Sequence, residues 1–555
     1  MNSIVWFIVV IWPFCNNSSL NNKNLLTKNS FSKRDFSMNN NFVLVMDTTL
    51  RDGEQTEGVC FSPKEKLILA QKLLDSVKVD FIEIASAKAS LVEKESCSLI
   101  FSWAKEKNML DRVEVLGFVD YNKSVDWIDF CGGKVINLLC KGSEKHCVEQ
   151  LKKTPKEHFS DIKQTVDYAH SKGFFVNAYL EDFSNGVENS PDYVFDLIEN
   201  LSSFGVRRLM LADTLGIFSP DKTKEFVSLV VKKFPDLHFD FHAHNDYGLA
   251  VANSLAAVFA GVRGVHCTIN GLGERAGNTS LEEFVSGVND FSKVKLNVLE
   301  SELYSMSRIT ELFSRQRLAR NKPIVGAVVF TQTAGVHADG DKKGGLYKSK
   351  LSAERFGRKT RYALGKLSGK SSVEMALREF GITVSDDELR LLLSRVIVLG
   401  EKKQFVTKED LLFILDEIKS NGHKKIFEVS YFEIKSSSKK KPSAKIIFSF
   451  NEKKYSFSGK GDGGYDAFVD ALKKFCKKTK ITLPSLVDYE VRIPVGGMTD
   501  ALVEAKITWL YNEGQFETAG ISTDQVEAAI KATEKMVNVI LLMKENPYLS
   551  ISAKK

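Results

Sequence analysis

The sequence has no C-x-x-C pair anywhere, and its eight cysteines stand alone at positions 15, 60, 97, 131, 140, 147, 267 and 476. That spacing excludes a zinc ribbon or a redox dithiol. It also argues against a disulfide framework, so scattered reduced thiols of a cytoplasmic protein are the expectation. Long hydrophobic runs are missing too. The apolar stretch IVWFIVVIWPFC at 4–15 has twelve residues, where about 20 are needed to cross a bilayer. No basic segment precedes it and no A-x-A site follows, which makes it a poor secretory signal. No G-x-G-x-x-G follows the first strand-like run, so the main signature of an open dinucleotide-binding sheet is absent. Charge of one sign is also scarce: 77 basic residues face 70 acidic ones. The small excess gathers partly in KSSSKKKPSAK (435–445) and forms no nucleic-acid motif. Neither nucleic acid nor a membrane is therefore expected as a partner.

Residues 1–41 do not resemble the rest. After the apolar stretch, 16–41 are rich in Asn, Ser and Lys, and they read as a non-structural extension, with a targeting leader as the alternative. From residue 42 a rhythm sets in. Apolar, β-branched runs recur as FVLVM (42–46), FIEIA (81–85), VEVLGF (113–118), VINLLC (135–140), FFVNAYL (174–180), RLMLA (208–212), FDFHAH (239–244) and GVHCTIN (264–270). Amphipathic segments such as PKEKLILAQKLLDSV lie between them. Eight strand-like runs alternating with helices predict a parallel (β/α)8 barrel over 42–298, with a doubly wound sheet as the alternative. Ser62, Pro63 and Glu65 form a helix start with a cap, a first-turn proline and a capping-box acid.

Residues 299–424 read as linker subdomains. They hold a helix over 299–319, a Gly-rich connector over 322–347 and small helices over 370–422. From 425 to 550 the chain becomes strand-rich and then helical, twice. GKGDGGYDAFVDALKKF (459–475) matches AGISTDQVEAAIKATEKMV (519–537) in type, so a duplicated ββα unit is expected, forming a separate α+β domain.

A barrel puts its chemistry at the C-terminal ends of its strands. There the sequence places Arg51 and Asp52, Glu83, Leu116, Leu139, Tyr179 and Glu181, Asp213 and Thr214, His242 and His244, and finally GLGERAGN (271–278). His242 and His244 are two residues apart, so a strand turns both imidazoles to one face. At a barrel mouth they can share one cation, with Asp52 adding a carboxylate oxygen and Asn278 an amide oxygen. Two imidazoles with oxygen donors suit Mg²⁺, Mn²⁺ or Zn²⁺ acting as a Lewis acid. H-x-H alone is as often a pair of satisfied core histidines. The acidic and GERAGN partners at neighbouring strand ends favour the metal.

DTTLRDGEQ (47–55), HAHNDYGLAVANSLAAVFAGVRGVHCTINGLGERAGN (242–278) and AGVHADGDKKGGLY (334–347) together resemble the acetyl-CoA-dependent 2-oxo-acid synthases. This family comprises the 2-isopropylmalate, homocitrate and citramalate synthases of the DRE-TIM metallolyases. The resemblance runs over about 43–549 and implies a metal-dependent Claisen condensation of acetyl-CoA with a 2-oxo acid. It implies Asp52, His242, His244 and Asn278 as metal ligands and Arg51 as the group polarising the ketone oxygen. Glu181, His337 and Tyr347 would be catalytic, the last two often reaching the site from a partner subunit. Gly345 stands where many relatives have Asn, which puts one contact on the acetyl-CoA side in doubt.

By the same resemblance Thr214 bonds the substrate carboxylate, and Leu116, Leu139 and Tyr179 wall the pocket for the 2-oxo-acid side chain. Together with VLGFVD, NLLCKGS and YLED, that set is nearest the pyruvate-using citramalate branch, with 2-isopropylmalate synthase as the alternative. Glu83 is read as a partner of Arg51 or as structural, and GKLSGKSS (365–372) as a solvated loop. The duplicated domain looks like the family's regulatory, dimerising unit, which binds an end-product amino acid. GKGDGGYDA replaces a Gly-Pro-Val-Asp-Ala run common there, so regulation is expected to differ. A non-catalytic, ligand-sensing paralogue is the reading from another class. The intact ionisable set argues against it.

Overall fold

The structure, a computed structural model, describes residues 41–545 apart from 88–89, 333–339, 341–343, 347–348, 379, 402–405, 420–425, 494–500 and 513. The apolar stretch at 4–15 and the polar leader therefore lie outside the described residues. Among those described, no helix is long and apolar enough to cross a membrane.

Eight parallel strands close into a barrel: β1 (Leu44–Asp47), β2 (Phe81–Ser86), β3 (Val113–Phe118), β4 (Val135–Lys141), β5 (Phe175–Glu181), β6 (Leu209–Asp213), β7 (Phe239–Ala243) and β8 (Gly264–Cys267). β1 pairs with both β2 and β8, which shuts the ring. The predicted Ser62 start is present as a full capping box, with Pro63 opening the helix Pro63–Gln71. Thr154 and Glu157 repeat the device at the helix Pro155–Ser171.

The two faces of the strands do different work. Outward residues such as Val45, Ile84, Val115, Leu138, Val176, Leu211, Phe241 and Val265 join the surrounding helices in one large apolar core. The alternate residues point into the barrel, and many are polar. Glu83, Glu114, Asn137, Asn177, Arg208, Asp240 and His266 are all buried there. Period-two alternation thus keeps the stabilising core outside the ring and leaves the inside for charge. Gly264 is part of this arrangement, because a Cβ there would stand 2.0 Å from Asp240 Oδ1.

The middle of the chain carries the helix Glu300–Ser314 and a two-residue parallel pair, β9 (Thr331–Gln332) with β10 (Arg361–Tyr362). The helices Lys370–Arg378, Asp386–Glu401 and Asp410–Lys419 share a small core of their own around Val373, Leu392 and Leu411. The last part is a repeat, and each unit has three strands where the sequence suggested two. β11 (Phe427–Ser437), β12 (Lys440–Phe450) and β13 (Lys453–Lys460) form an antiparallel meander before the helix Gly464–Thr479. β14 (Ser485–Arg492), β15 (Val503–Tyr511) and β16 (Gly514–Ser522) do the same before Gln525–Glu545. The extra strands β11 and β14 are largely solvent-facing, so their apolar alternation is weak and the period gave little signal.

Both helices contribute to one core, and Tyr465 Oη meets Thr533 Oγ1 at 2.7 Å across the two units. Equivalent glycines let each helix lie against its sheet. A Cβ on Gly459 would stand 2.1 Å from Ala467 O, and one on Gly520 2.1 Å from Ala528 O. Backbone cannot yield as a flexible side-chain tip can. Gly520→Ala should therefore cost about 1–3 kcal/mol of overpacking in the last domain, seen as an earlier unfolding step in calorimetry. An unchanged thermogram would contradict this packing.

Candidate active site

The stretch after β1 turns so tightly that Arg51, Asp52 and Gly53 all give their N–H groups to Thr48 O, at 3.1, 2.8 and 3.1 Å. This turn aims two adjacent side chains of opposite charge at the barrel mouth. Thr48 Oγ1 donates to Glu83 Oε2 at 2.8 Å and ties the turn to β2.

Arg51 is held from three sides. Its Nε donates to Glu83 Oε2 at 2.7 Å, one terminal nitrogen lies 3.2 Å from Asp52 Oδ2, and the other donates to Tyr179 Oη at 3.2 Å. Burial works against the guanidinium charge, but Asp52 and Glu83 outweigh it and raise its pKa above the ordinary value. Glu83 is the residue that the sequence left between a supporting and a structural role. It accepts from Arg51, from Thr48 and from Asn137 Nδ2 at 2.8 Å. Burial opposes its charge, yet Arg51 and Asn137 hold its pKa below the usual range.

Asp52, His242 and His244 come together. Their ligand atoms all lie within 4.8 Å of one another, with His242 Nε2 3.2 Å from Asp52 Oδ2 and 3.3 Å from His244 Nε2. Asp52 is 2 % exposed, His242 4 %, His244 7 % and Asn278 2 %. Burial disfavours the Asp52 carboxylate, but Arg51 and the two imidazoles keep it ionised, with its pKa well below the usual range. Burial and the neighbouring His242 bring His244 down to about 4, so its ring is neutral and its lone pair available at pH 7.

Asn278 enters from the GLGERAGN loop. Its backbone bridges His244, and its amide nitrogen donates to Leu272 O at 3.2 Å. Asn278 Oδ1 and Asp52 Oδ1 are buried with no hydrogen-bond partner, a costly condition that a cation would relieve. One carboxylate, two imidazoles and an amide oxygen are a donor set that fits a divalent metal.

Of the other expected residues, Tyr179 stands against this cluster, its ring edge-on to His242 with centroids 5.8 Å apart. Leu116, Leu139 and Tyr179 pack together with Met46, Phe81, Met210 and Ala212 in a small apolar group inside the barrel. Thr214 Oγ1 accepts the Asp182 N–H at 2.8 Å, which leaves its own proton free to donate. Glu181 is paired with Lys141 at the end of β4. Arg275, two residues past Gly273, clasps Asp246 with both carboxylate oxygens engaged and donates to Thr214 O at 2.8 Å. It thereby ties the Asn278 loop to strands β6 and β7. His337 and Tyr347 lie outside the described residues. The sequence reading missed the polar floor beneath the site: Glu114, Asn137, Asn177, Arg208, Asp240 and His266. The signal was there, since each occupies an inward position of an otherwise apolar run.

The HMGL-like family matches residues 43–309, the homocitrate synthase post-HMGL domain-like family 324–404, and the LeuA allosteric (dimerisation) domain 405–541. A 2-isopropylmalate synthase of Methanocaldococcus jannaschii is 32% identical over 91% of this chain and 95% of its own. An (R)-citramalate synthase of the same organism is 31% identical over 90% of this chain and 99% of its own. A putative (R)-citramalate synthase of Methanopyrus kandleri is 32% identical over 91% and 97% respectively. Identity at this level does not separate the two activities.

If the cluster is a metal site, Mn²⁺, Mg²⁺ or Zn²⁺ at a hundredfold excess over its dissociation constant should raise the Tm of the apoprotein by about 5 °C. Asp52→Asn should abolish the rise. The same rise in that variant would place the binding elsewhere.

Proposed function

The chain belongs to the family of acetyl-CoA-dependent 2-isopropylmalate and citramalate synthases, and we propose that the 2-oxo acid it condenses with acetyl-CoA is pyruvate, giving citramalate and free CoA. The observation that carries this choice is the small apolar group of Leu116, Leu139 and Tyr179 beside the Asp52–His242–His244 cluster. Large side chains from three strands converge there, which suits a methyl group and crowds an isopropyl group. Discrimination per methylene is about 1–3 kcal/mol in such a pocket.

Asp52, His242, His244 and Asn278 would hold the divalent metal, with Mg²⁺ or Mn²⁺ favoured and Zn²⁺ the alternative. When bound, it polarises the ketone and carboxylate oxygens of the 2-oxo acid. The remaining work falls to the chain. Arg51 meets the ketone oxygen and stabilises the alkoxide that develops on it. Its orientation is already fixed by Glu83 and Asp52, so little reorganisation accompanies the reaction. Thr214 donates its free hydroxyl proton to the substrate carboxylate. A base removes a proton from the acetyl methyl, the carbon attacks the ketone carbon, and the alkoxide takes up a proton. Water then cleaves the thioester and releases CoA. The family resemblance assigns the proton step to His337 and Tyr347, with Glu181 orienting them. Glu181 itself is braced by Lys141. The C-terminal repeat is read as the dimerising part of a homodimer, with an amino-acid effector bound near its Gly turns.

Purified protein with acetyl-CoA, Mg²⁺ or Mn²⁺ and either pyruvate or 2-oxoisovalerate should release free thiol faster with pyruvate. Faster release with 2-oxoisovalerate would make it a 2-isopropylmalate synthase, and no release with either would favour the non-catalytic paralogue. In the same assay Arg51→Lys should lower kcat by about 10²–10³, the scale of a lost oxyanion donor. A variant within a factor of about two of wild type would remove Arg51 from that role.

A further inference from the structure

His266 belongs to β8 and takes no part in the metal cluster, yet it is fully buried inside the barrel. Its Nε2 lies 3.2 Å from Asp240 Oδ2 and its Nδ1 3.1 Å from Tyr179 Oη. It thus bridges β7 and β5 across the interior. Asp240 is ion-paired with Arg208 at 3.1 Å and faces His238 Nε2 at 2.9 Å. Against burial, Arg208 and the hydrogen bonds from His238 and His266 hold its carboxyl well below the usual range. A carboxylate can only accept, so the His266 proton sits on Nε2 and Nδ1 carries a lone pair. The donor facing that lone pair is the Tyr179 hydroxyl. The Tyr179 oxygen in turn accepts from Arg51. Two acceptors therefore compete for the Tyr179 proton, His266 Nδ1 at 3.1 Å and Glu83 Oε2 at 3.2 Å, while Arg51 holds the oxygen.

We propose that His266 is a positioning residue for substrate selection: by accepting the Tyr179 hydroxyl proton it fixes the aromatic wall of the 2-oxo-acid pocket. This rests on the assignment of Tyr179 to that wall. Without His266 the hydroxyl keeps only Glu83 Oε2 as an acceptor, 3.2 Å away, and the ring gains freedom to yield to a longer side chain.

The test is a double-mutant cycle on the full-length enzyme, read as the ratio of kcat/KM for pyruvate to that for 2-oxobutanoate, one methylene larger. His266→Leu and Tyr179→Phe should each lower the ratio about tenfold, the lower end of discrimination by one methylene, and the double variant should lower it no further. His266→Asn places an amide near the Nδ1 position and should keep most of the ratio. His266→Gln reaches toward Asp240 instead and should behave like His266→Leu, which covers the case in which the leucine variant does not fold. A merely structural role for His266 would reduce active enzyme and leave the ratio alone. An unchanged ratio in folded His266→Gln, or losses that multiply in the double variant, would overturn the proposal. If wild type prefers 2-oxoisovalerate, the pyruvate assignment fails by itself. The cycle is then read against that substrate, and the coupling between His266 and Tyr179 still decides.

Discussion

A guanidinium taken out of water costs several kcal/mol unless its partners replace the lost solvation. Arg51 sets that condition for the whole barrel mouth. Glu83 answers on one side, Asp52 on the other, and Tyr179 takes the remaining donor. Each partner then makes its own demand. Glu83 needs Thr48 and Asn137, Asn137 accepts from Asn177, and Asn177 faces Glu114, which binds Arg208. Arg208 meets Asp240, Asp240 meets His266, and His266 returns to Tyr179. The chain of contacts closes on itself. A buried polar network is tolerable only when nearly every member is satisfied, and this ring meets that requirement inside the barrel.

Four buried atoms without partners lie together above it. Asp52 Oδ1, Asn278 Oδ1 and the Nδ1 atoms of His242 and His244 are buried without partners. A satisfied floor beneath an unsatisfied rim is the expected form of a site that binds a cation and a polar substrate. The floor holds side chains in place, and the rim leaves lone pairs that a cation would fill. The apolar core can remain ordinary because it lies outside the ring, between strands and helices. Stability and chemistry are thus divided between the two faces of the same eight strands.

Much of this was legible in advance from particular residues. The alternation of apolar runs with amphipathic segments gave the barrel. Ser62, Pro63 and Glu65 gave a helix start with its cap. His242 and His244 declared a shared face by their spacing alone. The polar floor was overlooked because Glu114, Asn137 and Asn177 each look like a single interruption of a strand. Their meaning depends on which strands become neighbours and which register they keep. The third strand of each C-terminal unit was missed for another reason: β11 and β14 bury too little to show a period.

The sequence by itself determined what is local or periodic. It set the number of barrel strands, the face each residue occupies, and the residue types needed for a metal and an alkoxide. Only the tertiary structure decided the pairings. Glu83 rather than Glu114 receives Arg51, and His266 rather than His244 meets Tyr179. Pairings of this kind join residues as distant in sequence as Arg51 and Tyr179, 128 positions apart. Distances of that kind are fixed by ring closure and strand register, which no short stretch of sequence contains.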